Sequence, residues 1–399
     1  MRKILLVFAG LLSLIGCVII CKFLKISSSE GFGIGNNYVT DYEITGQFGD
    51  FIGGVVGTLF ALAGTLLIFL SFYEQNNQNR RNNFEASFFE MIRLHRANVE
   101  ELNYEKDKGA TKVRFQNRQV CRVIFKEVLE CYAEVKKFSN STKVSDYIRQ
   151  DYQDKLQALC KENRIKQNLI QIALIDIAYS IVFYGLGTEG VSILRRNFSK
   201  KYNPYYYYRL LYFIKLKPKS GNRERFMLWS TIRKYDLKTL HLLIEDLYKI
   251  RTKSSKISGE SQMAKDLDLP SDYEKYYGGH QFRLGHYFRH LFQAYKYIDS
   301  SPDIADRDRY RYGKMLRGQL SSYEQALIFV NSISSLGRKW EYIPEKFSAK
   351  SESYKTETKK LNLITKYNII KNLPGNQFYD IKFKDYYREV EYESDEATE

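Results

Sequence analysis

Three of the chain's five histidines, His280, His286 and His290, fall within eleven residues in the stretch GHQFRLGHYFRHLFQAYKYID, Gly279 to Asp299. Imidazoles grouped with Arg283 and Arg289 offer acid–base work, an anion site or a metal site. The four-residue step from His286 to His290 puts both rings on one helix face, yet no HExxH and no nearby cysteine completes a zinc set. No metal and no cofactor is therefore assigned. The candidates for catalysis are Arg283, His286 and His290.

A second polar set follows across the connection SSPDIADRD, in RYRYGKMLRGQLSSYEQALIFVNSISSLG, Arg309 to Gly337. Read as two helices, the first turns His286, Arg289, His290 and Gln293 to one face and Phe288, Leu291, Phe292, Tyr295 and Ile298 to the other. The second carries Arg317, Ser321, Glu324 and Asn331 as a polar stripe among Leu316, Leu320, Leu327, Ile328 and Phe329. An antiparallel pairing faces Arg289 and His286 toward Glu324. Polar groups in such an apolar pair must satisfy one another, since a buried unpaired group costs about 1–3 kcal/mol. Two readings stay open: a buried Arg289–Arg317–Glu324 network that fixes helix register, and a small functional pocket.

The elements that must carry these residues begin with apolar helices. Between Asp50 and Glu74 lie 23 residues without a charge, enough at about 1.5 Å per residue to cross a hydrocarbon core about 30 Å thick. Gly49, Gly53 and Gly57, continued by Ala61 and Thr65, form a small-residue stripe that suits close helix packing and self-association as a homo-oligomer. Residues 1–25 form a first apolar segment. LIGC at Leu14–Cys17 has the form of a lipoprotein cleavage box, but VIIC continues the apolar run, which favours an uncleaved span. The loop at 26–45 carries Glu30, Asp41 and Glu43 but no Lys or Arg beyond the dissenting Lys22 and Lys25 before it, whereas Arg2, Lys3, Arg80 and Arg81 flank the other ends. The positive-inside rule then places the loop outside and both termini in the cytoplasm. The expected layout is a span at 1–25, an external loop at 26–45, a span at 46–74, a cytoplasmic helical domain at 75–388 and an acidic disordered tail at 389–399. The fold class is mainly α, a two-helix transmembrane hairpin followed by an all-helical domain.

Beyond the second span, FEASFFEMIRLHRANVEEL sets Phe84, Phe88, Met91, Ile92 and His95 at helical spacing, so the span continues as a stalk helix. Helical patterns follow at 112–138, 145–163 and 164–184. The last is apolar but short, and it contains Asp176, which makes it a buried core helix. Arg251 to Asp272 reads as a mobile loop, 359–372 as a helix and Pro374-Gly375 as a turn.

The balance of 62 Lys+Arg against 46 Asp+Glu gives a net charge of +16. Most of it lies in Arg195–Lys238, where 13 basic residues oppose Glu224 and Asp236 among many tyrosines. Lys200, Lys201, Arg209, Lys215, Lys217 and Lys219 could meet nucleic acid or anionic lipid, or could be a solvated face over a tyrosine-rich core. The five cysteines lack metal-ligand spacing and suit free thiols in a reducing compartment. There is no GxxxxGK[ST] loop, no GxSxG elbow, no paired CxxC and no Rossmann glycine pattern. The residues alone name no reaction.

Three stretches together do resemble a known family. GQFGDFIGGVVGTLF with FYEQN and FEASFFEMIRLHRANV, then LGHYFRHLFQAYKYID, then LRGQLSSYEQALIFVNSIS are similar to the phage abortive infection proteins of the AbiC type, over about residues 46–100 and 280–375. The resemblance implies a bacterial membrane protein that stops phage multiplication in response to an unidentified phage trigger, located in the inner membrane with most of the chain in the cytoplasm. Its pattern falls on Arg289, Arg317, Gln319, Ser321 and Glu324, with no chemistry to carry over. Arg283 and His290 also fit the Arg-x4-6-His spacing of HEPN-type ribonucleases, the competing reading. The expected function is an infection sensor coupled to a membrane effector; the alternative is a membrane-tethered ribonuclease.

Overall fold

A computed structural model describes residues 2–29, 42–108, 111–162, 168–219, 221–251, 275–341 and 361–396. The chain divides into two compact units, Met1–Ser87 and Phe88–Glu399. The mobile loop expected at Arg251–Asp272 falls, after Arg251, outside the described residues, as does most of the segment 26–45 expected to form an external loop.

The first unit is built from α1 (Arg2–Ser29), α2 (Tyr42–Phe51), a π-helical turn at Ile52–Val56 and the start of α3 (Gly57–Glu100). Two stretches, Lys3–Ile26 and Gly49–Glu100, are long and apolar enough to cross a membrane. Ile4, Ile68 and Phe72 turn outward with more than half of their surface exposed, as lipid-facing side chains would. Phe23 stacks on Phe51 with ring centroids 5.1 Å apart, and Gly16 lies against the Phe60 ring. As α1 advances from 16 to 23 its partner runs back from 60 to 51, so the pair is antiparallel. A Cβ at Gly16 would sit 3.1 Å from Phe60, so a small residue is needed there.

The expected glycine seam is therefore not the one this hairpin uses. Added Cβ atoms at Gly49 and Gly53 would meet nothing within 4 Å, and Gly57 would meet only Ile52 O of its own turn. The span is also not one regular helix, because IGGVV widens into the π turn. Thr58 Oγ1 donates to Gly54 O and Val55 O, both at 2.8 Å, and so satisfies carbonyls that the altered ladder leaves.

The second unit opens with residues 88–100 of α3 and a β-hairpin, β1 (Asn103–Lys108) against β2 (Thr111–Gln116). The fold is mainly α as expected, with this hairpin and a short β3–β4 pair (Gln377–Phe378, Ile381–Lys382) as the small amount of sheet among the described residues. TKVRFQ, read as the start of a helix at 112, alternates along a strand, and the helix begins only at α4 (Arg118–Lys137). Then come α5 (Gln150–Glu162), α6 (Leu169–Tyr184), α7 (Thr188–Ser199), α8 (Pro204–Lys215), α9 (Arg223–Ile232), α10 (Leu237–Arg251), α11 (Gln281–Ser300), α12 (Asp306–Arg317), α13 (Ser322–Ile333) and α14 (Leu363–Lys366).

The core is α4, α6 and α13 packed together. Every residue of α6 from Ile172 to Val182 is buried, as an apolar helix in a protein interior requires. Its Asp176 accepts from Tyr202 Oη at 2.5 Å and from Ser335 N and Oγ, both at 2.8 Å, which explains how a charge persists there. The helix expected at 359–372 is only the single turn of α14. The acidic tail is packed as far as Asp395: Val390 and Tyr392 are buried, and Lys384 pairs with Asp395 at 2.7 Å. Apolar side chains between the acids anchor it, which charge counting alone overlooks.

Candidate functional site

The start of α11 is fixed by glycines. Gly185, after α6, has φ +77° and Gly279 has φ +91°, and a Cβ on either would come within 2.7 Å of the other strand of this crossing. His280 N donates to Phe183 O and Leu186 N to Tyr277 O, both at 2.8 Å. His280 is thereby set against Glu127 of α4, and the rest of α11 packs with α6, α12 and α14.

The expected second motif helix breaks in two, α12 and α13, at Gly318–Ser321. Ser321 caps α13 and Glu324 closes the reciprocal capping box. Glu324 is fully buried. Its Oε2 accepts from Ser321 N at 2.8 Å and Ser321 Oγ at 2.6 Å, and its Oε1 accepts from Tyr287 Oη at 3.0 Å. Arg118 Nε lies 3.6 Å from Oε2 and His95 Nε2 lies 3.9 Å from Oε1. The cation facing this carboxylate, Arg118, comes from α4 and the imidazole beside it, His95, from α3.

His95 itself is buried, and among the described residues neither ring nitrogen has a hydrogen-bond partner. Burial, reinforced by the nearby His290, Arg118 and Arg96, lowers its pKa to about 4, so it is neutral near pH 7. Its ring stacks beside His290 at 6.5 Å and packs on Tyr287 at 5.4 Å. One residue on, Arg96 Nε and Nη2 donate to Gln319 Oε1 at 3.0 and 2.8 Å, while Gln319 O accepts from Arg118 Nη2 at 2.9 Å. Gln319, Ser321 and Glu324 thus form one cluster with the end of α3 and the start of α4.

Arg289 and Arg317 do not join it. Arg289 is exposed on the outer face of α11. Arg317 is buried and donates through Nη1 to Tyr367 O at 3.2 Å and Asn368 O at 3.1 Å, the carbonyls that follow α14. The coupled Arg289–Arg317–Glu324 network is corrected accordingly: the break at Gly318 turns Arg317 toward the carboxy-terminal segment. His95, Arg96, Arg118 and Tyr287 were missed. The signal available was a histidine, His95, at an apolar helix position.

The three catalytic candidates point into separate surroundings. His286 is exposed. His290 has a buried Nδ1 that lacks a partner among the described residues, near His95. Arg283 donates from Nε to Asn103 O at 2.7 Å and lies with Nη1 3.3 Å from His280 Nδ1. His280 Nε2 in turn meets the buried Glu127 Oε2 at 2.8 Å. Tyr104 Oη donates to Glu127 Oε1 at 2.8 Å and Lys106 Nζ lies 2.9 Å from it. Burial works to raise the Glu127 carboxyl, but the bond and charge of His280 together with Lys106 outweigh it and hold it at about 2. Among the described residues no three His, Cys, Asp or Glu side chains converge to hold a metal ion.

The basic segment is largely engaged within the fold. Lys217 is buried, 2.7 Å from Glu134 and 3.4 Å from Glu130. Arg209 pairs with Glu245 and lies 3.3 Å over the Tyr205 ring. Lys201 donates to Ser335 Oγ at 2.5 Å and lies 3.6 Å from Asp176. These three are corrected from anion-binding to structural roles, while Lys200 is exposed and Lys215 and Lys219 are half-buried.

Residues 279–349 match the family model described as "Putative phage abortive infection protein". The matched family is one of phage abortive infection, as the sequence resemblance implied. No curated protein and no solved structure matches the chain. The match takes in His280, Arg283, Tyr287, Gln319, Ser321 and Glu324, and lies outside the α3 and α4 residues that complete both clusters.

Proposed function

We propose that the chain is a bacterial anti-phage membrane protein in which the helical unit at Phe88–Glu399 senses infection and drives a membrane effector formed by α1 and α3. One observation carries this reading. Helix α3 runs without a break from Gly57, in the apolar span, to Glu100, and its last turns carry His95 and Arg96 to Gln319 and Glu324 of the matched segment. A helix transmits a rotation or shift along its axis, so a change in the Glu324 cluster has a covalent route to the span. The small-residue face left open at Gly49 and Gly53 supports self-association in the membrane. The charge pattern supports both termini, and the helical unit, on the cytoplasmic side.

What fails first after infection tests the proposal. Cells carrying the protein should lose membrane potential while their RNA is still intact. RNA cleavage with an intact potential would falsify the effector reading and favour the tethered ribonuclease built on Arg283, His286 or His290.

A further inference from the structure

The pair Glu127–His280 lies beneath an open cavity of about 250 Å³ whose walls include Tyr104, Lys106, Lys219, Tyr276, Phe282 and Arg283. Lys106 and Tyr276 also border a neighbouring cavity of about 620 Å³, so the first lies just below and the second within the range of about 300–1,000 Å³ usual for small-molecule sites. The His280 ring that meets Glu127 through Nε2 also makes a hydrogen-bond contact of 3.3 Å between its Nδ1 and Arg283 Nη1. That bond and the one from Nε to Asn103 O fix the plane of the guanidinium. Among the described residues no protein acceptor takes its Nη2 hydrogens. A guanidinium oriented in this way and left with free donors at a cavity wall is built for an oxyanion.

The aromatic groups add a second requirement. The Arg283 guanidinium lies 4.1 Å from the Phe282 ring and 4.8 Å from the Tyr104 ring. Phe282 nevertheless keeps 70% of its surface exposed. Lys106 stands 5.0 Å over the Tyr276 ring on the same wall. Flat apolar faces interleaved with cations suit a stacked base joined to a phosphate. Glu105 and Asp107 on the same rim can accept from ribose hydroxyls or base amino groups and repel an extended polyanion.

We propose that this cavity binds a nucleoside phosphate, with its phosphate on Arg283 and its base against Phe282. The site assigns Arg283 to ligand recognition and does not depend on the membrane-effector reading, since binding is measured without phage.

Calorimetry on the full-length protein in detergent, with AMP, GMP, CMP and UMP as probes, tests it. At least one monophosphate should bind saturably, with its nucleoside and ribose 5-phosphate each about tenfold weaker or worse. Arg283→Ala should weaken that binding by about tenfold or more, and Phe282→Ala by about threefold or more. Because Phe282 is exposed, its variant should melt as the wild type does, which separates lost binding from lost folding. Absence of saturable binding of all four up to about 5 mM, weaker than any useful site, overturns the proposal. Equal affinity for ribose 5-phosphate, tighter binding of a single-stranded RNA oligonucleotide, or unchanged affinity in the Phe282→Ala variant overturns it as well.

Discussion

His95 Nε2 stands 3.9 Å from Glu324 Oε1, with the imidazole buried and, among the described residues, neither of its nitrogens hydrogen-bonded. The pair joins the end of the long helix to the capping box of α13. Its energetics depend on pH. The folded pKa of His95 is about 4 against an ordinary 6.5, so between these values the unfolded chain binds a proton that the folded chain does not. Stability must fall as pH is lowered through that window, by on the order of 3 kcal/mol at its lower end. Melting of the full-length protein at pH 7.5 and pH 5 should show the loss, and His95→Phe should flatten it. An equal slope in the variant contradicts the assignment. Glu127, held at about 2, contributes at lower pH, where its stabilisation is lost from about 4.5 downward.

Glu324→Ala removes the acceptor for Tyr287 and Ser321 together and leaves Arg118 without its carboxylate. A loss of about 3–5 kcal/mol is expected, most of it from uncompensated buried polar groups. In double-mutant cycles Glu324→Ala should couple to Tyr287→Phe by about 0.5–3 kcal/mol and be additive with Arg289→Ala within about 0.5 kcal/mol. Thermal unfolding in the same detergent checks both. Unchanged melting of Glu324→Ala with complete loss of protection would instead mark Glu324 as catalytic.

Lysines of the basic segment should separate by surroundings. Lys217→Ala strands Glu134 in the interior and should lower stability by about 3–5 kcal/mol, whereas Lys200→Ala should stay within about 0.5 kcal/mol. Binding of anionic vesicles or nucleic acid, if the wild type shows it at low salt, should weaken on Lys200→Ala with native melting. Loss of such binding only in unfolded variants contradicts a surface role.

Topology is checked by reporter fusions. A fusion after Gly35 should report from outside the cytoplasm and one after Asn103 from inside. The reverse result at either point contradicts the two-span arrangement.

Much of the architecture was legible because it rests on composition and period. The apolar runs gave the two membrane-length helices, and Asp176 in a short apolar helix gave α6 as core. What escaped the sequence depended on local geometry or distant chain. Ser321-x-x-Glu324 is a helix-start signature, yet the apolar residues on both sides favoured one continuous helix through it. TKVRFQ has a strand's alternation but too few residues to outweigh the helix that follows. Gln319, Ser321 and Glu324 were grouped with Arg289 and Arg317, which lie elsewhere, while the partners His95, Arg96 and Arg118 stand some two hundred positions away, where spacing carries no signal. The glycine stripe was visible, but whether it meets the neighbouring helix or remains open is a matter of helix rotation, which Gly16 against Phe60 decides.

The central claim is that α3 links the matched segment to the membrane, and the direct measurement is membrane potential in infected cells carrying wild type or Arg96→Ala at equal abundance. Arg96 is exposed and its bonds to Gln319 are surface bonds, so the variant should fold and insert normally. The account predicts that wild-type cells depolarise before their RNA is degraded and that Arg96→Ala cells, with native melting of the purified protein, keep their potential longer. Depolarisation with wild-type timing in the variant, or RNA cleavage at full potential in the wild type, would contradict it.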